Sequence, residues 1–431
     1  MKTLAFLLIL ITVTRCHDPF QVIFQWNTID VMWPTEEEQQ FAITHGDYIP
    51  ANNFIAGIKF WKGKMYLTVP RWKEGVPVTL GVTSATPMNQ ITAPKLEAFP
   101  SWEMQKVGDC SAFQMVQSME IDPIGRMWIL DSGRMSPLSV EVKTTCPPRL
   151  VILDLEKNGE VLRTYEFPTD VARHGTAHLN DIVLDHEDGG MAYITDSGRE
   201  DPGIIVYSLR NNTSWKIRHD SMKIKPEAVK FMISKSHINM PIPVDGIALS
   251  PANSKERQVY YSPLSSFHLY SMSTWVLKNN IENVDGYVKE LGRKNSQTDG
   301  MVMSAKGILY FGLLADDAVA MWDTKMSTSF TTGQRVISRD HERMQWPDTF
   351  AFDEDGNFYC VTNSLQNVLN NKVNISIPNY RVVRTRIGVK NYQYLENGTA
   401  PEQPEIPTSA ANKINLAMVT GLTILLAFVI Q

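Results

Sequence analysis

The sequence predicts an all-β protein, a six-bladed β-propeller with four-stranded blades over residues 17–396. Two observations lead to this fold class. A strand-forming phrase occurs six times along the chain, and further pairs of short apolar runs lie in the intervals. Repeats that recur about every 50 to 67 residues, with several strands in each, are typical of propeller blades.

The repeated phrase is a polar or glycine-containing turn followed by apolar and aromatic residues. Each copy follows another short apolar stretch, so each pair is predicted to form a hairpin with a tight turn. We expect the phrase to be the second strand of every blade. Its six copies are KGKMYLTVP at 62–70, GRMWILDSG at 125–133, GGMAYITDS at 189–197, ERQVYYSPL at 256–264, KGILYFGLL at 306–314 and DGNFYCVTN at 355–363.

The intervals supply the outer two strands of each blade. Residues 149–155 (RLVILDL) and 160–165 (EVLRTY) flank the turn EKNG, and residues 203–209 (GIIVYSL) precede another turn and strand. Two hairpins per repeat give four strands, and no long stretch has helical periodicity. A β-sandwich would not explain six similar hairpins.

Both ends of the chain carry targeting features. Residues 1–16 combine a lysine, a short apolar run and a polar exit, which is the pattern of a secretory signal peptide. Residues 397–413 form a proline-rich polar linker, and residues 414–431 are an apolar tail. This order is typical of a GPI-attachment signal; a membrane helix and an unprocessed secreted tail are the alternatives. We therefore expect an extracellular protein, secreted or attached to the outer cell surface.

Sequons and cysteines fit the same location. Asn-x-Ser/Thr sequons, which need surface loops to be glycosylated, occur at Asn211, Asn212, Asn374 and Asn397. Of the three cysteines that remain after the signal peptide, we expect Cys110 and Cys146 to form a disulfide. Cys360 lies in an apolar strand and is expected to be a buried free thiol.

Charge and missing motifs exclude several functional classes. The formal net charge is −5, and no run of basic residues indicates nucleic-acid binding. The sequence contains no G-x-S-x-G elbow, H-E-x-x-H zinc motif, C-x-x-C pair, P-loop or Rossmann fingerprint. No cofactor or metal is assigned from the sequence, and calcium stays open only as one interpretation of the polar ring described next.

Five of the six repeats place a polar residue at one equivalent position before the hairpin turn. Because the innermost strands of a propeller line its axial channel, these side chains should meet at one mouth. One interpretation is bonding between blades, with Asp side chains accepting backbone N–H groups. The other is a site for a hard cation such as Ca²⁺ or for an organic ammonium group. The five residues are Gln117, Asn180, Asp245, Asp299 and Asp348.

Nine further strings carry a family resemblance. They are VQSMEID (116–122), MWILDSG (127–133), CPPRLVILDL (146–155), HLNDIVLD (178–185), AYITDS (192–197), GIIVYSL (203–209), DGIALS (245–250), YYSPLSS (260–266) and QWPD (345–348). Together they resemble the insect Yellow and major royal jelly protein family over about residues 20 to 385.

The resemblance implies a secreted six-bladed propeller in cuticle, eggshell or pigment biology. It also implies dopachrome conversion, as in some relatives, or binding of biogenic amines such as serotonin in the central channel, as in some salivary relatives. By motif position, Asp348, Thr349 and Asn363 are the candidates for ligand contact. Relatives often have a further cysteine where this chain has Met321, which puts the partner of Cys360 in doubt.

We therefore predict a channel that recognises a catechol- or indole-derived amine or a melanin precursor. Asn180, Asp245, Asp299 and Asp348 would surround the amine, and Asn363 would hydrogen-bond a hydroxyl. The alternative is a dopachrome-converting enzyme in which a channel carboxylate such as Asp348, or His178, moves the proton. A Ca²⁺-dependent lactonase-like propeller and a non-catalytic matrix protein are two further hypotheses.

Overall fold

A computed structural model describes residues 18–139, 141–327 and 329–407. The predicted signal peptide, the end of the linker and the apolar tail lie outside the described residues. Six four-stranded antiparallel sheets confirm the predicted six-bladed propeller. The inner strands of the six sheets contact one another in a closed ring.

The first half of the chain builds three blades, and two elements precede them. The chain begins with β1 (Gln21–Trp26) and α1 (Glu36–His45). Blade 1 comprises β2 (Gly57–Trp61), β3 (Lys64–Thr68), β4 (Leu80–Ser84) and β5 (Glu97–Ala98). Blade 2 comprises β6 (Val116–Ile121), β7 (Arg126–Asp131), β8 (Arg149–Asp154) and β9 (Glu160–Glu166). Blade 3 comprises β10 (Leu179–Asp185), β11 (Met191–Asp196), β12 (Gly203–Ser208) and β13 (Thr213–Ile217).

The second half builds the other blades after a small hairpin, β14 (Lys230–Ile233) and β15 (Ser236–Asn239). Blade 4 comprises β16 (Val244–Leu249), β17 (Gln258–Pro263), β18 (His268–Ser273) and β19 (Lys289–Arg293). Blade 5 comprises β20 (Met301–Met303), β21 (Ile308–Leu313), β22 (Ala318–Asp323) and β23 (Arg335–Arg339). Blade 6 comprises β24 (Pro347–Phe352), β25 (Asn357–Thr362) and β26 (Tyr380–Arg386), with β1 as its fourth strand. Short helices α2 (Thr274–Lys278), α3 (Phe330–Gly333) and α4 (Leu365–Leu369) lie in blade loops.

The six-fold phrase forms the second strand of every blade, counted from the axis, as predicted. These strands are almost entirely buried because both faces of each blade pack against neighbouring blades. The ring closes by a contact that the repeat pattern did not predict. Strand β1 pairs antiparallel with β26, from Gln21 opposite Arg384 to Trp26 opposite Tyr380.

Helix α1 is defined by its ends rather than by an apolar stripe. The Thr35 side chain accepts a hydrogen bond from the Glu38 backbone N–H, and three glutamates occupy the first turn. Gly46 ends the helix in the left-handed conformation at φ 79°. Only Ala42 is buried, so the helix has no clear hydrophobic face, and periodicity did not reveal it.

The described part of the predicted linker, residues 397–407, packs against blade 2. The guanidinium of Arg126 in β7 donates to the Pro404 carbonyl at 2.6 Å, and that of Arg163 in β9 donates to the Pro407 carbonyl at 2.7 Å. Tyr392, just before this segment, accepts a hydrogen bond from the Leu184 backbone N–H of the inner strand β10 at 2.9 Å.

Cysteines and sequons lie where the sequence predicted. Cys110 and Cys146 form a disulfide across 36 residues, and a loop of that length contributes roughly 4 kcal/mol in the chain-entropy account. Cys360 is buried and free. The sequon residues Asn211, Asn212, Asn374 and Asn397 are exposed. Within the described part of the chain, no helix has the length and apolarity needed to span a membrane.

Candidate functional site

The predicted polar ring surrounds the axis of the propeller. A narrow space of about 20 Å³ is lined by all five predicted ring residues, which come from blades 2 to 6, and by Ala56 of blade 1. Blade 1 therefore contributes the apolar residue Ala56 where each of the other five blades contributes a polar residue. The ring members are Gln117, Asn180, Asp245, Asp299 and Asp348.

Bulges in the inner strands explain how these side chains reach the axis. The register of β10 against β11 shifts between Leu179 and Ile182, so Asn180 and Asp181 lie outside the regular ladder. The same kind of shift occurs at the ring position in β6, β16 and β24. A bulge re-aims side chains that would otherwise alternate between the two faces of a strand.

Two Asp-Gly pairs let neighbouring blades approach at the ring. A Cβ atom on Gly246 would lie 2.2 Å from the Asp299 carbonyl oxygen, and one on Gly300 would lie 2.2 Å from the Asp348 carbonyl oxygen. Glycine is therefore required after Asp245 and Asp299 because backbone from the next blade occupies the side-chain space.

Hydrogen bonds connect the ring members to one another and to two tryptophans. Asn180 donates to Asp245 at 2.6 Å, joining blades 3 and 4. The Trp346 indole N–H donates to Asp299 at 2.6 Å, and the Trp72 indole N–H donates to Gln117 at 2.8 Å. Part of the ring therefore bonds blade to blade, in agreement with the structural interpretation made from the sequence.

Among the described residues the three ring aspartates form no salt bridge, although the buried Lys294 interacts electrostatically with Asp245, and the pKa values of the three aspartates are raised. Burial, together with the charges of Asp299 and Asp348, raises the pKa of Asp245 well above its usual range. Burial and the charge of Asp299 do the same for the pKa of Asp348, against the opposing hydrogen bond from Asn363. Burial raises the pKa of Asp299 to about 6, although its hydrogen bond with Trp346 opposes the shift. The ring therefore holds protons at acidic pH and gains negative charge above it.

A wider cavity adjoins the narrow space inside the ring. This mouth cavity has a volume of about 260 Å³ and shares Trp72, His178, Met240 and Ile242 with the narrow space below. The Trp72 and His178 rings lie edge to face at 5.9 Å. Arg134, Arg199 and Glu200 contribute charged groups to its wall. The two spaces together form one funnel.

His178 enters this funnel as a neutral imidazole. Burial, with a smaller contribution from Arg134, lowers the pKa of His178 to about 4, against the opposing charge of Asp196. Its backbone N–H donates to the Asp196 carboxylate at 2.8 Å, which fixes the start of β10. At neutral pH the ring of His178 can therefore accept a proton.

Asn363 and Thr349 lie apart from the mouth cavity. Asn363 is completely buried, and its side-chain N–H groups donate to Asp348 at 2.5 Å and to the Ile55 carbonyl at 3.0 Å. Its oxygen accepts from the Leu365 backbone N–H at 3.2 Å. Thr349 lines a separate small space further along the axis, beside Asp181. Of the family-implied candidates, Asp348 alone borders the narrow space of the funnel.

A second polar layer, which sequence reasoning did not identify, lies beside Thr349. Lys59 and Glu120 form a salt bridge of 3.2 Å between blades 1 and 2, and Asp181 accepts from the Ser118 hydroxyl at 3.2 Å. Asp181 follows Asn180 directly, and the bulge places both residues outside the regular ladder, which no pattern in the sequence indicates. Trp72 was missed as well, because it lies in a loop immediately after the repeated phrase of blade 1.

No group of three or more His, Cys, Asp or Glu side chains within residues 18–139, 141–327 and 329–407 is arranged to hold a metal ion.

Replacing Asp299 with asparagine is expected to raise the thermal unfolding midpoint at pH 7 to 8 and to leave it unchanged near pH 4. The folded-state pKa of Asp299 lies above the unfolded value, so the unfolded chain binds fewer protons between about pH 4 and 6 and stability falls as pH rises through that window. Asparagine avoids this loss and still accepts from Trp346. Differential scanning calorimetry across pH 4–8 measures the effect; an equal shift at every pH would contradict it.

Residues 114–391 match the family described as "Major royal jelly protein". The chain is 27% identical over 389 residues to a dopaminechrome tautomerase of Drosophila melanogaster, covering 86% of this chain and 83% of that protein. It is 29% identical over 373 residues to protein yellow of Drosophila guanche, covering 83% of this chain and 64% of that protein. The chain thus spans less than two thirds of the length of that second relative.

Two solved structures align with most of this chain. A luciferin-regenerating enzyme aligns with a TM-score of 0.47 at 12% identity, covering 84% of this chain and 97% of that protein. A calcium-binding regucalcin of Agrobacterium tumefaciens aligns with a TM-score of 0.46 at 14% identity, covering 82% of this chain and 94% of that protein.

Proposed function

Because the chain belongs to the major royal jelly protein family, we propose that it is an extracellular Yellow-type propeller of cuticle, eggshell or pigment biology. Its funnel recognises a catechol- or indole-derived amine or a related melanin precursor. The observation that carries this proposal is the mouth cavity joined to a narrow ring of carboxyl groups. Exposed sequons and the disulfide support an extracellular location. Attachment through the C-terminal tail belongs to the same proposal.

The dimensions of the funnel suit a small ligand with one flat end and one compact end. The mouth cavity, at about 260 Å³, lies just below the usual size range of drug-binding pockets and fits one small ring system. The narrow space, at about 20 Å³, admits a group no larger than a water molecule. An aromatic ring would occupy the mouth beside Trp72, and an ammonium or hydroxyl group would enter the ring.

The charge of the funnel favours an ammonium group at its narrow end. Asp245, Asp299 and Asp348 form no salt bridge with a described residue, so a bound ammonium would stabilise their ionised forms. Binding would therefore release protons from the ring at mildly acidic pH. At the wide end, Arg134 and Arg199 offer donors to catechol or quinone oxygens. The funnel thus orients a ligand that carries oxygen at one end and an amine at the other.

Titration calorimetry with dopamine and serotonin tests this proposal. We expect saturable binding, proton release that differs between buffers of different ionisation enthalpy, and weaker affinity as pH falls through about 6. Asp299→Asn should weaken binding about tenfold or more, which corresponds to the loss of one ion pair of about 1.4 kcal/mol. The exposed Asp285→Asn is the matched control. Equal affinity in Asp299→Asn, or binding of uncharged catechol with the same affinity, would contradict the ammonium assignment.

Aminochrome conversion is the second candidate function. Two observations favour it: the similarity to a dopaminechrome tautomerase and the neutral imidazole of His178 beside the mouth cavity. Tautomerisation moves a proton from a ring carbon to a quinone oxygen, so the product has the same atoms as the substrate. His178 would accept the carbon-bound proton, and Arg134 would stabilise the negative charge that develops on the oxygen.

Loss of visible absorbance from freshly made dopaminechrome and dopachrome tests the enzymatic proposal. We expect purified protein to accelerate the loss, and His178→Gln to lower kcat by about 100-fold or more, the usual contribution of general acid–base catalysis. His237→Gln, at an exposed histidine of the β14–β15 hairpin, is the control. Ligand binding without any acceleration would leave the chain a binding protein.

A further inference from the structure

A second and larger cavity lies outside the channel. This α1 cavity is bordered by helix α1 and by the loops that follow β3 and β7, and its volume is about 860 Å³. The 134–138 loop separates it from the mouth cavity: Met135 and Ser136 line the α1 cavity, whereas Pro137 and Leu138 line the mouth. Nothing in the funnel mechanism uses this space.

Aromatic rings form much of the wall of the α1 cavity. The Trp33 and Trp102 rings lie 5.1 Å apart, and Phe41 stacks on His45 at 3.8 Å. Phe41 is 59% exposed, although it is a large apolar side chain. The wall therefore offers aromatic faces to a ligand.

The free charge around this cavity is negative. Four carboxylates line it, and none of them forms a salt bridge with a described residue. They are Glu37, Glu38, Asp47 and Glu74.

Three basic residues in the same wall offset part of this negative charge. Arg71 donates to main-chain carbonyls, and Lys73 donates to the Val368 carbonyl and the Asn371 side chain at 2.7 Å each. These acceptors are neutral, so Arg71, Lys73 and Lys143 keep their charges, and the carboxylates of the described wall exceed them by one.

We propose that the α1 cavity binds an organic cation with an aromatic body. The aromatic faces attract a cation through their quadrupoles, and the carboxylates add a long-range attraction. The volume accommodates a ligand several times larger than the mouth cavity does, so the two sites select different molecules.

Two fluorescent probes that share the dansyl ring and sulfonamide but differ in charge test the proposal. Dansylcadaverine carries a primary ammonium, and dansylglycine carries a carboxylate. We expect dansylcadaverine to bind saturably, with a blue-shifted emission and quenching of tryptophan fluorescence, and its affinity to fall with added salt. Dansylglycine should bind at least about fivefold more weakly, because attraction to the surface carboxylates is replaced by repulsion. Equal affinity for the two probes would overturn the proposal.

Matched variants locate the probe. Glu37→Gln/Glu38→Gln should weaken dansylcadaverine binding about fivefold, whereas the exposed pair Glu256→Gln/Glu282→Gln should leave it unchanged. Trp72→Ala, which alters the mouth cavity and the hydrogen bond to Gln117 but no residue that lines the α1 cavity, should also leave it unchanged. Binding that is lost in Trp72→Ala but kept in the Glu37/Glu38 variant would assign the probe to the funnel and overturn the proposal. The Glu37/Glu38 variant does not touch the ring, so failure here is distinct from failure of the proposed function.

Discussion

Replacing Gly246 with alanine is expected to destabilise the propeller by about 3 kcal/mol or more, the upper range for overpacking a close contact. The added Cβ would lie 2.2 Å from the Asp299 carbonyl oxygen, a backbone atom of the next blade that no side-chain rotation can move. Relief therefore requires blades 4 and 5 to separate at the ring. Thermal and urea unfolding followed by tryptophan fluorescence measure the loss.

Gly286→Ala is the control for this prediction. No atom lies within 4 Å of a Cβ at Gly286, which is an exposed turn residue. We expect its unfolding midpoint to stay close to that of the unaltered protein, since exposed substitutions usually change stability by less than about 0.5 kcal/mol. If Gly246→Ala unfolds like Gly286→Ala, the blades are not in close backbone contact at the ring.

Replacing Arg71 with methionine is expected to have the second large effect, a loss of about 4 kcal/mol. Arg71 is only 3% exposed, and its guanidinium donates to five main-chain carbonyls at 2.6–2.9 Å, those of Val76, Pro77, Gln105, Phe113 and Gln114. Methionine fills similar space but leaves these carbonyls without donors, at about 1–3 kcal/mol each. The substitution also removes the desolvation cost of the buried guanidinium charge, and this offsets part of the loss in stability.

Two further variants separate the causes. Arg71→Lys keeps the charge but lacks the planar fork of five donors. Its stability should therefore lie between that of the unaltered protein and that of Arg71→Met. Arg339→Met removes an exposed guanidinium that lies 3.5 Å from Asp316, and it should change stability by less than about 1 kcal/mol. An Arg71→Met protein as stable as Arg339→Met would show that the loops around Arg71 are held by other contacts.

Repetition made the fold predictable from the sequence. Six copies of one hairpin specified the number of blades, and a fixed distance from each turn specified the ring from Gln117 to Asp348. Neither argument depends on a single residue, so small errors in individual strands did not matter. The disulfide between Cys110 and Cys146 followed from having few cysteines to choose from.

Features without a repeat escaped prediction. Trp72 and Arg134 both line the mouth cavity and lie in loops. Because loop sequences are not repeated from blade to blade, comparing the repeats could not indicate either residue. The bulge that brings Asp181 to the axis is a change of register, which a pattern of residue types does not record. Asn363 looked like a ligand contact by motif position, yet its hydrogen bonds to Asp348 and to the Ile55 carbonyl occupy both side-chain N–H groups.

The pairing of β1 with β26 has a consequence for the synthesis of the protein. The strand that closes the ring is the first to leave the ribosome, and its partner, which begins at Tyr380, is among the last. At 5–20 residues per second, β1 waits roughly 20 to 70 seconds for its partner. During that time blade 6 does not exist and β1 presents an unpaired edge, which is a template for aggregation. Chaperones therefore have most to do before the last strand emerges.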